Sequence, residues 1–288
     1  SEKIYIDPLY SYYVSKIILM KKTSLLAVAV ASAVVGIVIN LAINTPSAVW
    51  GVSNSPTRQA LFYMNAILIY VIPGLVAIAF FSGKPEWLAP PGRYVPEGKY
   101  FVSSPYFLSA SAIIAAVATV AGLPGPLNID TVALVTAFAA VYFGPFVAFL
   151  GTSVAFILRY ALGLTPWVAT PNIVVAYALM DGGIWAISAG LFWFVVRGRQ
   201  WSLPIKNILT IVMAFVFMAV HFSGWVITNY FTNNPYEAAL ANMAWAISPA
   251  GFVISSFVAQ FLGTLIGSFY YDSRLAYATA GKAAPKPT

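Results

Sequence analysis

Three ionisable side chains fall inside long apolar runs: Arg159, Asp181 and His221. A charge placed in hydrocarbon is costly unless a partner or ligand takes it up, so each marks a candidate ligand-binding position. A carboxylate, a guanidinium and an imidazole could together orient the polar groups of a small molecule. Trp225 lies four residues after His221 and shares its helix face, adding apolar surface. Plainer roles exist for the same residues. Arg159 and Asp181 could pair and lock two helices, Arg159 could extend outward to water, and His221 could bridge two helices. Asp181-Gly182-Gly183 permits either close approach of a neighbouring helix or local unwinding.

Further polar and aromatic groups flank these runs. Asn128 and Asp130 precede one apolar segment, Trp167 lies in the following loop, and Tyr230 ends a later segment. They suit the entrance to a pocket, or equally an interfacial aromatic belt with helix caps. Redox and hydrolytic chemistry find little to work with. The chain has no cysteine and one histidine, so it builds no thiolate zinc site, iron–sulfur cluster or multi-histidine metal centre alone. It contains no G-x-x-x-x-G-K-[ST] stretch, so any ATP-driven step belongs to another subunit. No nucleophile–base pair stands out, and neither a cofactor nor catalysis is expected.

The elements that hold these residues follow from composition. Of 288 residues, 60% are hydrophobic and 8% charged, and mean hydropathy is +0.83. Charged residues make up about a quarter of an ordinary soluble domain, so a soluble globular enzyme and a disordered chain are both excluded. The pattern predicts an all-α polytopic membrane protein with about eight transmembrane helices. The apolar segments are 23–44, 59–82, 105–124, 131–146, 147–163, 173–196, 207–230 and 245–271. The first follows Lys21-Lys22 like a secretory signal, but its apolar run is long for one and predicts a retained span. At Gly144-Pro145 the pattern predicts a helical hairpin, with one kinked helix as the alternative.

With the N-terminus inside, thirteen of the 15 Lys and Arg residues fall on the cytoplasmic side; only Arg58 and Arg159 lie outside. This bias puts both termini in the cytoplasm of a multi-pass protein of the cell membrane. It also explains the net charge of +7 by anionic lipid, without nucleic acid. Residues 1–82 read as a tail and helix pair, 83–104 as a Pro-rich linker, 105–272 as a six-helix bundle, and 273–288 as a disordered tail.

The stretch Val132–Leu164 carries Ala139-Ala140-Val141-Tyr142-Phe143-Gly144-Pro145-Phe146. Pro171–Arg199 follows, with Met180-Asp181-Gly182-Gly183 and a basic end. With six helices and internal termini, residues 105–272 resemble the substrate-binding S component of energy-coupling factor transporters. The resemblance implies capture of a vitamin-like small molecule from outside. It also implies docking through small residues, here Ala112 and Ala116, to a membrane coupling subunit with two ATPases. The two N-terminal helices and the long linker depart from that pattern. The other reading is a non-catalytic structural or accessory subunit of a larger membrane complex, touching lipid and neighbouring membrane subunits.

Overall fold

The structure, a computed structural model, describes residues 22–43, 56–82, 105–123, 130–165, 171–197, 201–232, 240–241, 244 and 252–283. Among them every element is helical, and eight continuous helices form. They are α1 (Lys22–Ile43), α2 (56–82), α3 (Pro105–Ala121), α4 (Thr131–Phe143), α5 (Pro145–Ala161), α6 (Pro171–Arg197), α7 (Leu203–Thr232) and α8 (Phe252–Ala283). Three segments are long and apolar enough to cross a membrane: Gln59–Phe81, Pro171–Arg197 and Leu203–Ile227. Exposed Leu26, Val30, Ile113, Val120, Ile208, Phe215 and Phe269 place large apolar side chains on the outside. That is the surface expected where lipid replaces water.

Local sequence explains the breaks. Pro73 lacks the amide that would bond one turn back, and the preceding turn widens into a π segment, Ala66–Val71. Gly144 separates α4 from α5 with φ 90°, a conformation open to glycine, and Pro145 takes the first helical position. The turn makes a hairpin, not a kink. Thr131 at the start of α4 hydrogen-bonds the Ala121 carbonyl, and Arg159 near the end of α5 packs on Gly122. Both therefore reach the same end of α3, while Tyr106 at its other end meets Phe143.

The same reasoning orders the remaining helices. Tyr63 in α2 bonds the Asn172 carbonyl at the start of α6, and Phe81 meets Trp193 at the other end. Lys206 at the start of α7 pairs with Asp272 in α8 at 2.5 Å, and His221 in α7 bonds Gln260. From α2 to α8 the chain thus alternates up and down between a His221 end and an Arg197 end. α8 stays helical beyond residue 272 through Ala283, because Leu275, Ala276, Ala278 and Ala280 are good helix formers.

α6 is the central helix, with 67% of its apolar window buried against 28% in α2 and α7. Gly182 lies against Ser153 and Phe149 of α5, and Gly183 against the Tyr70 backbone of α2. The Gly-Gly pair serves close packing, and the helix runs on unbroken. α8 presses Gly263 and Gly267 onto α4 at Leu134, Ala137, Phe138 and Val141. α1 lies outside, with Gly36 on Leu68 and Ile69.

Trp193 is the anchor of the Arg197 end. It is fully buried, and its indole donates to the carbonyls of Ala140 and Val141 at 3.1 and 3.2 Å. Those carbonyls lie in the last turn of α4, where helical partners run out. Trp193→Phe removes the donor and part of the ring. It is expected to cost about 1–3 kcal/mol, read as a lower midpoint in denaturant unfolding in detergent micelles.

Candidate functional site

At the His221 end, polar groups arrive from five helices. Asp181 projects from α6, and the Trp185 indole one turn on hydrogen-bonds its carboxylate. His221 of α7, Arg159 of α5 and Asp130 at the start of α4 all lie within electrostatic reach of Asp181. The Trp185 and His221 rings are 5.5 Å apart. From α8, the Gln260 side-chain amide hydrogen-bonds His221 Nδ1 at 2.9 Å. Ser256, one turn earlier, donates to Asp130 Oδ2 at 2.6 Å.

The local sequence explains each placement. Asp181 precedes two glycines whose missing side chains draw α5 and α2 onto α6, so its carboxylate is held where three helices meet. Arg159 occupies the last turn of α5, where a cation favours the carbonyl end of the helix. Its side chain lies along Gly122, and a Cβ there would sit 2.6 Å from Nε. Asp130 caps α4: Oδ1 accepts from the Ala133 amide at 3.1 Å. The capping role foreseen for it is present, and its second oxygen joins α4 to α8.

The structure therefore brings Arg159, Asp181, His221 and Asp130 together. Trp225 is half-buried one turn beyond His221, its ring 6.1 Å from Phe222. Tyr230 lies in the last turns of α7, its side chain outside the described residues, as Asn128 and Trp167 are entirely. Ala112 and Ala116 face outward from α3 and take no part in the cluster. The inward face of α3 is a different stripe: Ser111 and Ile114 meet Gly151 of α5.

Sequence reasoning missed Trp185, Ser256 and Gln260. The signal was available for the last two. Ser256 and Gln260 stand four residues apart, the spacing that puts two side chains on neighbouring turns of one face. It also missed the burial of Arg197, which the charge pattern had placed among cytoplasmic loop cations. Its guanidinium lies 3.3 Å over the Tyr271 ring, 4.7 Å from Trp193 and 5.4 Å from Phe192. The ring faces hold the guanidinium by cation–π attraction, with the Asp272 carboxylate in electrostatic reach.

Chemically, the His221-end cluster gathers a carboxylate, an imidazole, a guanidinium and an indole within one region. It can fix the orientation of a small polar or aromatic molecule. Among the described residues, no three His, Cys, Asp or Glu side chains group as metal ligands. The chain matches no known protein family, no curated protein and no solved structure.

Proposed function

We propose that this chain is the substrate-capture subunit of an uptake system in the cell membrane. In this reading all eight helices span, both termini are cytoplasmic, and the His221 end faces outside. A vitamin-like small molecule enters there and is oriented by Asp181, His221 and Arg159, with Trp185 and Trp225 supplying apolar surface. Energy comes from partner ATPases through a membrane coupling subunit, which docks on the outward face of α3 at Ala112 and Ala116.

The observation that carries the reading is the convergence of ionisable groups from α4, α5, α6 and α7 at one end of an apolar bundle. Such groups are costly in a membrane interior, and a ligand is one partner that offsets the cost. The outward exposure of Ala112 and Ala116 leaves room for a partner helix to approach.

Purification from native membranes in mild detergent, with mass spectrometry of co-purifying proteins, tests the partner half of the proposal. A coupling subunit and two ATPases should accompany the chain in fixed ratio. Stoichiometric recovery with redox or other membrane subunits would replace this reading with that of an accessory subunit.

A further inference from the structure

The buried face of α6 opens at one residue. Val174, Tyr177, Trp185 and Ser188 lie within about 40° of Asp181 around the helix axis, and all four are buried. Asp181, in the middle of that face, is only half-buried. The outer side of α6 lies elsewhere, at Val175, Leu179 and Ile187, each about 120° or more away from Asp181. The surface that Asp181 keeps therefore opens into the bundle.

α7 changes in step. Thr210, Ala214 and Phe217 on the His221 face are buried, and from His221 onward that face opens, with His221 and Trp225 both half-buried. Asp181 is within electrostatic reach of His221, and the buried Trp185 ring lies 5.5 Å from the imidazole. The two openings thus meet as one crevice, floored by Trp185 and continuing past Trp225.

The charges around the crevice do not cancel. Asp130 stands at the start of α4 and Arg159 in the last turn of α5, so the helix ends offset part of each charge. Asp181 is far from either end of α6 and has no such help. Among the described residues its one hydrogen-bond donor is the Trp185 indole, where an ionised carboxylate can accept several. With the imidazole neutral, Asp181 and Asp130 stand against Arg159 alone.

We propose that the crevice binds an organic cation of the arylalkylamine class. A protonated amine meets the Asp181 carboxylate, and a flat apolar body lies along His221 and Trp225. The ammonium supplies the N–H donors that Asp181 lacks and offsets the uncancelled charge. An anionic ligand would instead set a further negative charge beside Asp181 and Asp130. This inference rests on the capture reading and narrows it to one chemical class.

The test titrates the purified full chain in dodecylmaltoside with tryptamine, tryptophol and indole-3-propionate. These share an indole and a two-carbon arm, and at neutral pH they are cation, neutral and anion. Calorimetry against protein-free micelles reads each affinity. Tryptamine should bind about tenfold or more tightly than tryptophol, and indole-3-propionate more weakly than either. In Asp181→Asn the tryptamine advantage should shrink to about twofold or less, with gel filtration and thermal midpoint checking the fold. Equal affinity for the three probes, a preference for the anion, or no tryptamine binding to the wild type would overturn the proposal. So would a tryptamine advantage that survives in folded Asp181→Asn. Mass spectrometry of the native extract separates the two failures. An enriched compound without a basic nitrogen overturns the amine and leaves capture standing, whereas no enriched compound and no probe binding removes both.

Discussion

Gly183→Val is expected to prevent the bundle from assembling. A Cβ at this position would lie 2.6 Å from both the carbonyl carbon and the oxygen of Tyr70, and 2.9 Å from its Cβ. These are mainly backbone atoms, so no rotamer change relieves the clash, and α2 must move away from α6. The movement has further consequences. Gly74 packs on Gly183 and Ala186, Gly190 packs on Ala77, and the Tyr70 hydroxyl bonds Ser223 of α7 at 2.9 Å. All of these contacts depend on the same close approach. Overpacking of a core usually costs about 1–3 kcal/mol; the rigid obstacle here puts the expected value at the top of that range or above. Gel filtration after detergent extraction should show aggregate or loss of protein. A monodisperse Gly183→Val protein with an unchanged thermal midpoint would mean that α2 does not sit on α6 as described.

Asp181→Asn is expected to weaken ligand retention by about 10–100-fold, because hydrogen bonds to charged groups contribute roughly 1.5–3 kcal/mol. The shape of the side chain is kept, so the fold should survive. Arg159→Met has a different signature. It leaves the carboxylates of Asp181 and Asp130 without the nearby guanidinium, and a buried charge stripped of its partner can cost about 3–5 kcal/mol. The Arg159→Met/Asp181→Asn double variant should regain stability relative to Arg159→Met, yet still fail to retain ligand. That separates a helix-locking pair from a ligand site. If Asp181→Asn alone lowers the thermal midpoint and leaves retention intact, the carboxylate is structural. Both quantities come from one purified sample, by differential scanning fluorimetry and by mass spectrometry of the extract.

The helices were legible because apolar runs in this chain are long and punctuated by glycine and proline. Gly144-Pro145 split α4 from α5 as the residue types dictate. The gathering of Arg159, Asp181 and His221 followed from a simple constraint: a charged group in an apolar run turns inward. Other features had weaker signatures. The buried polar side chains of α8 are Ser256, Gln260, Thr264 and Ser268, which carry no charge, so nothing marks them as costly in an apolar run. Arg197 adjoins Gly198 and Arg199 and looks like a loop cation, while the Tyr271 ring that covers it lies 74 residues away in sequence. The placement of α2 against α6 was hidden by the intervening proline-rich segment. Only the matching glycines, Gly74 on one helix and Gly183 and Gly190 on the other, point to it.

The central claim is that the polar cluster at the His221 end holds a small molecule. The most direct measurement is mass spectrometry of compounds extracted from the full chain purified out of native membranes, beside Asp181→Asn and His221→Ala prepared identically. The account predicts one compound near stoichiometric amount in the wild type and its loss from both folded variants. No enriched compound in the wild type, or equal recovery from all three proteins, would contradict it.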